Sequence, residues 1–340
     1  MQNLRESAYF DKNEERGSRH GAFNLFRNET DSPISIVSRE MYDKAISSIG
    51  RQLQTPVLDY NEGLKITNTR RVTIQPSELN SKMVNIDFST LTFEFTVVPA
   101  AHHNNEIGVQ QAFESQMIHG INAMAKALDE MGLAALEASK TKVFGDKLGY
   151  NIVGDTVKAT WSEQDTIFGD ISAMQGANDY YGEIHIVGNA GVESAVRKLA
   201  QSGIYNAVNK RNEFDNKVFH FTNNLLNDEG VYASMFAVES GQVALLHRFE
   251  RESLYGTETR DGHRWGTTVL PGIDMPCGTY FYEEVGDYSA MAGAATTDMT
   301  RAKMECYCFS VDVAFVTPYN SRPAKDASPI ISAEILPKGV

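Results

Sequence analysis

Apolar side chains between residues 106 and 138 recur at helical period. Val109, Phe113, Met117, Ile121, Met124, Leu128 and Met131 follow one another at steps of three or four, which places them on one stripe of an amphipathic helix. At 1.5 Å per residue such a helix is about 50 Å long. Asn104 or Asn105 is placed to cap it and Glu106 to complement its positive end. A helix of that length exceeds the width of a small domain, so it reads as an organising strut. Its methionines read as core packing.

Ahead of it the period changes to two. Val84, Ile86, Phe88, then Leu91, Phe93, Phe95 and Val97 alternate with polar residues, the pattern of a half-buried strand bent or bulged near Ser89-Thr90. Further upstream, residues 51–75 read as a hairpin. Asn61-Glu62-Gly63 supplies the turn between extended arms at 53–58 and 65–74. The arms are polar and carry Arg51, Asp59, Glu62, Lys65, Arg70 and Arg71, a composition suited to a hairpin that projects from a body. A short helix over 38–50 precedes it, with Ser38 as N-cap, Met41, Ala45, Ile46 and Ile49 on one face, and Gly50 at its end. Residues 1–37 show no sustained period. Polar and charged, with isolated aromatics at Tyr9, Phe10, Phe23 and Phe26, they read as an extended arm that docks on a partner.

Beyond the long helix the chain is mixed. Glu183-Ile184-His185-Ile186-Val187 reads as a buried strand, Gly188-Asn189-Ala190-Gly191 as a tight turn, and residues 192–201 as an amphipathic helix. Strands are expected at 218–221, 231–238, 243–249 and 280–285, with 255–272 as a long exposed loop. Residues 302–317 read as one long strand, and 330–336 as a last edge strand.

Composition narrows the function classes. The chain has 340 residues, 42% apolar and 22% charged, ample for a globular core without staples. Thirty-one Lys and Arg against 44 Asp and Glu leave a net charge of −13. That disfavours tight phosphate binding and a polybasic membrane surface. No apolar run is long enough to span a bilayer, and the polar opening residues do not read as a signal peptide. Three cysteines, Cys277, Cys306 and Cys308, make no disulfide framework and point to a reducing compartment.

Chemistry-bearing patterns are sparse. The 188–191 turn between a strand and a helix is the most enzyme-like feature, since a helix N-terminus can hold an anion. It matches neither the dinucleotide nor the P-loop fingerprint, and a plain compact turn is the simpler reading. Cys306 and Cys308 share one strand face without further zinc ligands, so they read as small buried hydrophobes. His102-His103 read as loop residues, and Glu283, Glu284 and Asp287 as a solvated strand end. No catalytic, cofactor-binding or metal-binding residue is assigned.

In order, the elements are a polar arm, a short helix, a projecting hairpin, a bent strand, a very long helix, a mixed region and a return strand. This order resembles the Hong Kong 97-type major capsid proteins of tailed phages. The resemblance implies an α+β fold with residues 1–37 as N-arm and 51–75 as extended loop. It implies a peripheral domain over 76–149 plus 301–340, with the spine helix at 106–138, and an axial domain over 150–300. It implies a structural protein, not an enzyme, that self-assembles into hexamers and pentamers of an icosahedral virion shell around double-stranded DNA and is assembled in the host cytoplasm. Scaffolding, portal and decoration proteins are the implied partners, with packaged DNA touched weakly and no membrane. Tyr9, Phe10, Phe23, Phe26, Arg51, Asp59, Glu62, Lys65, Arg70 and Arg71 are then the expected inter-subunit contacts. An encapsulin-like compartment shell is the nearest alternative, and a nucleotide-binding enzyme using the 188–191 turn the alternative from another class.

Overall fold

The computed structural model describes residues 20–47, 52–59, 80–102, 108–140, 148–177, 180–199, 213–214, 216–225, 230–248, 262–286, 302–319 and 329–339. Helices α1 (Gly21–Thr30) and α2 (Arg39–Ser47) come first, followed by β1 (Gln52–Asp59), β2 (Asn80–Asp87) and β3 (Ser89–Val97). The long helix α3 (Val109–Ser139) leads into β4 (Asn151–Val153), β5 (Thr156–Ala159) and α4 (Ile167–Ala177). Next are β6 (Ile184–Gly188), α5 (Ala190–Leu199), β7 (Glu213–Phe214), β8 (Lys217–Phe221), β9 (Ala233–Glu239) and β10 (Ala244–Arg248). The chain continues through β11 (Arg264–Val269), β12 (Pro276–Gly286), β13 (Ala302–Val316) and β14 (Ile330–Ile335). The fold is α+β.

Helix α3 has 31 residues and buries the expected stripe: Met117, Ile121, Met124 and Leu128 lie in the core, with Phe113 and Met131 packed against it. It starts after Gly108, whose N–H donates to the Gln111 side chain at 3.3 Å. Asn104, Asn105 and Glu106 lie outside the described residues. The helix lies close on β3, because a Cβ at Gly120 would fall 2.3 Å from the Phe93 ring. Phe95, Phe113 and Tyr307 meet there, with ring centroids 4.9 to 5.4 Å apart.

Two larger sheets form. One has the order β4-β5-β14-β9-β6-β8-β7, and the other is built around β13, which pairs with β3, β10 and β12, with β11 beyond β12. Strand β14 is therefore interior. It runs parallel to β5 and antiparallel to β9, which corrects the edge-strand expectation and moves residues 330–335 into the sheet of β5, β6 and β9. Five of its six residues are buried, so its apolar run reflects cover on both faces. The span 150–300 likewise divides. Strands β10, β11 and β12 join β13, so part of the expected exposed loop, residues 264–269, is a paired strand. The chain changes sheets at the turn after β9, where Gly241 has φ +81° and a Cβ would meet the Ile34 carbonyl oxygen at 2.4 Å, a position only glycine fills.

Two other expectations change. Residues 53–58 do pair into a hairpin, but with β2, in register from Gln52↔Asp87 to Asp59↔Asn80; the arm at 65–74 lies outside the described residues. Residues 21–30, read as part of an extended arm, form α1. Phe23 and Phe26 are 1% and 0% exposed, so the inter-subunit role expected of these two is corrected: they fill this chain's own core. Helix α1 packs among α3, the β13 sheet and one face of the seven-stranded sheet, sharing a core with Leu128, Leu136, Val187, Phe236, Val238, Leu245 and Val313. Helices α4 and α5 cover that sheet's other face.

Asp129 of α3 holds the start of α1. Its side chain is fully buried and accepts from the Ala22 and Phe23 N–H groups at 2.9 and 3.1 Å. It also accepts from the Thr222 hydroxyl and, at 2.8 Å, from the Asn224 amide. The two backbone donors have no partner within their own helix, and His20 provides no side-chain cap. A buried carboxylate with four donors is compensated for its desolvation, whereas its loss strands all four. Asp129→Ala should lower the unfolding free energy by about 3 kcal/mol or more, read as a fall in the urea midpoint. Asp129→Asn, which keeps one acceptor oxygen, should fall between that variant and the parent.

Candidate assembly surfaces

The β1–β2 hairpin engages the body through one face. Leu53 and Ile86, paired across the strands, pack near its root in one cluster with Val37, Met41, Tyr42 and Ala45 and with Ala244, Leu246, Ala314 and Val316. The opposite face presents Gln52, Gln54, Pro56, Met83, Asn85 and Asp87 to solvent, with Met83 54% exposed. A ribbon of two strands is marginal by itself, so its direction depends on its root.

That root is built from charge. Phe88 separates β2 from β3, and the Arg248 guanidinium carbon sits 4.2 Å from its ring centroid. Arg248 Nε donates to Asp312 Oδ2 at 3.2 Å, and the Thr90 hydroxyl donates to Asp312 Oδ1 at 2.6 Å. Both charged side chains are under 10% exposed, at 5% and 8%. Arg248 and Asp312 thus lock the hairpin's exit strand to β10 and β13. Neither was singled out from sequence for this role, although Asp312 sits in the apolar run from Val311 to Phe315 and Arg248 follows the apolar start of β10, a placement that signals a buried pair.

Of the expected contact residues, Asp59 closes β1 opposite Asn80. Tyr9, Phe10, Arg51, Glu62, Lys65, Arg70 and Arg71 lie outside the described residues. Phe23 and Phe26 are the two that the structure brings together, and it does so in the core.

The 188–191 turn is already occupied by its own chain. Asn189 Oδ1 accepts from the N–H groups of Gly191 at 3.0 Å and Val192 at 3.3 Å, and lies 3.4 Å from that of Ser234. A Cβ at Gly191 would sit 2.2 Å from the Tyr232 carbonyl oxygen, so glycine here serves close packing of helix on strand. Burial pushes the Cys277 thiol up to about 12, and burial followed by the Glu94 charge raises Cys308, so both stay protonated at neutral pH. Glu283 is paired with Lys303 at 2.8 Å on the solvent side. His103 and Asp287 lie outside the described residues. Among the described residues no group of three or more His, Cys, Asp or Glu is placed to hold a metal ion, and no helix is long and apolar enough to cross a membrane.

No protein-family model and no curated protein matches the chain. Solved structures similar to it include a chain of Mycobacterium phage Che8, with 11% identity over 87% of this chain and 88% of that one at a TM-score of 0.48. The capsid of Ralstonia phage GP4 is similar at 10% identity, covering 87% and 86% of the two chains, TM-score 0.48. The capsid of an empty GTA particle is similar at 10% identity over 94% and 90%, TM-score 0.48.

The hairpin root yields a double-mutant prediction. Arg248→Met leaves a buried Asp312 carboxylate without its cation and should cost about 3–5 kcal/mol. Adding Asp312→Leu removes the stranded charge and should restore most of that loss. Chemical denaturation of the parent, both single variants and the double variant checks the coupling.

Proposed function

We propose that this chain is a tailed-phage major capsid protein of the Hong Kong 97 type, self-assembling into hexamers and pentamers of an icosahedral shell around double-stranded DNA. The observation that carries this reading is the chain's own architecture. A hairpin with an open outer face is rooted on α2, β10 and β13, a 31-residue helix lies along β3 of the same sheet, and a seven-stranded sheet packs on a core shared with it. A ribbon with a solvent-facing side suits broad contacts with further copies of the chain. Ring closure and multivalency turn many such weak contacts into a strong assembly.

In this reading α3 with the β13 sheet is the peripheral domain and the seven-stranded sheet with α4 and α5 is the axial domain. The extended loop is carried by β1 and β2. The arm is residues 1–20, since residues 21–30 belong to the core. Arg51, Asp59, Glu62, Lys65, Arg70 and Arg71 on the loop, with Tyr9 and Phe10 on the arm, contact neighbouring copies. Scaffolding, portal and decoration proteins bind the assembled surface, and the shell is assembled in the host cytoplasm. A charge of −13 suits a wall that touches packaged DNA without gripping it.

The purified protein should form rings or closed shells visible by electron microscopy. A monomer by sedimentation across salt, pH and concentration would overturn the reading. The variant Arg70→Glu with Arg71→Glu should melt within a few degrees of the parent while the share of protein sedimenting as shells falls at least several-fold. An equal share in shells would remove the loop from the contacts.

A further inference from the structure

The far end of α1 is tied to the seven-stranded sheet by a single file of titratable groups. Glu29, 5% exposed, accepts from the Ser240 hydroxyl at 2.9 Å and from the Gly241 N–H. Its other oxygen lies 3.1 Å from His185 Nε2 on β6. His185 Nδ1 in turn lies 3.1 Å from His220 Nε2 on β8. The file therefore joins α1, the turn after β9, and two parallel strands.

Proton positions follow from the partners. A carboxylate only accepts, so the tautomer with its hydrogen on His185 Nε2 is the one compatible with the 3.1 Å polar contact to Glu29. In the neutral ring Nδ1 is then an acceptor, and His220 Nε2 donates to it. This file tolerates one further proton, because His185 can become imidazolium beside Glu29 while His220 turns its lone pair toward it. It does not tolerate two. With both rings protonated, two N–H groups and two positive charges face each other across a 3.1 Å gap with little access to water.

We propose that Glu29, His185 and His220 form an acid-operated latch, which holds α1 on the seven-stranded sheet at neutral pH and releases its C-terminal end when the second imidazole is protonated. The groups that act on the file support one direction of travel. Burial, with the His185 charge acting in the same direction and Glu29 opposing both, brings His220 down to about 4. Burial alone would raise Glu29, but the His185 ring 3.1 Å away and hydrogen bonds from Gly241 and Ser240 hold it below the ordinary carboxylate value. The signs agree. A histidine depressed in the native state binds more protons when released, so the docked state loses stability as pH falls from about 6.5 toward about 4. A depressed carboxylate contributes above its free value and loses that contribution as pH falls through its native one. At the other end of the helix Asp129 acts on His20, outside this file. Ser240 and Gly241, from the turn after β9, bring no charge.

The test is hydrogen–deuterium exchange on the full chain between pH 7 and 3.5, corrected for intrinsic exchange. Amides in the second half of α1 should lose about tenfold in protection per pH unit between about pH 6.5 and about pH 4, the slope of a single proton, and level off below that, while the Met117–Leu128 part of α3 stays protected. His220→Gln can still donate to His185 but does not titrate, and should shift release to lower pH by about one unit or more. Release at the parent's pH in that variant, or simultaneous loss in α1 and α3, would overturn the latch. Should His220→Gln not fold, the imidazole ¹⁵N shifts of the parent decide. His220 staying neutral to about pH 4 and titrating together with α1 release supports the proposal. Titration near 6.5 with α1 still protected overturns it.

Discussion

The buried carboxylate of Asp129 is the constraint on which the placement of everything else depends. Helix α1 is only ten residues long, too short to be stable by itself in water. Its first N–H groups have no local cap, so its formation waits on an acceptor from α3. Once Asp129 supplies it, Phe23, Leu25 and Phe26 enter the space between the β13 sheet and the seven-stranded sheet. The two sheets then share one core. Thr222 and Asn224, which follow β8, donate to the same carboxylate, so one side chain fixes α1 on α3 and both on the seven-stranded sheet.

The parts of this arrangement that sequence reveals are those with a long period. The α3 stripe repeats over more than twenty residues, and its buried face and extent match it closely. The alternation from Val84 to Val97 likewise gives two strands with a break at Phe88. Helix α1 was not legible for the opposite reason. Ala22, Phe23, Leu25 and Phe26 are crowded into barely more than one turn, which is too few to define a period, and the cap that stabilises the helix lies more than a hundred residues away at Asp129. Strand β14 was visible as a strand but not as an interior one, since its neighbours β5 and β9 come from distant sequence. The hairpin was legible in its first arm alone. Both 65–74 and 80–87 are extended in character, and register with β1 is decided by packing of Leu53 and Ile86 at the root, not by turn residues. For the candidate surfaces, charge on the loop was readable, whereas the buried Arg248–Asp312 pair that directs the hairpin required knowing that β10 and β13 are neighbours.

Placing that pair at the root trades stability for direction. Replacing a buried ion pair by well-fitting apolar residues is often neutral or stabilising, so Arg248 and Asp312 are poorly explained as a source of folding energy. Their geometry is restrictive in a way an apolar contact is not. The guanidinium must lie over Phe88 while its Nε meets one carboxylate oxygen, and Thr90 must meet the other. Three elements are thereby held at one angle. Along a two-stranded ribbon a small angular error at the root becomes a large displacement at the tip, so a directional root constrains it more than an apolar one would.

The same division of labour runs through α1. Burying a large apolar side chain contributes about 1.5–3 kcal/mol, so Phe23, Leu25 and Phe26 together supply most of what keeps the helix in place. The polar ends contribute selectivity. Asp129 fixes the start of the helix through backbone, hydroxyl and amide donors, while Glu29 faces His185 and, beyond it, His220 at the other end. A wedge with an apolar middle and chemically different ends can loosen at one end while the other stays bound. Loosening at Glu29 frees the C-terminal end of α1 alone, because Asp129 with Thr222 and the apolar core shared with Val187, Phe236 and Val238 keep the rest of the helix on the seven-stranded sheet.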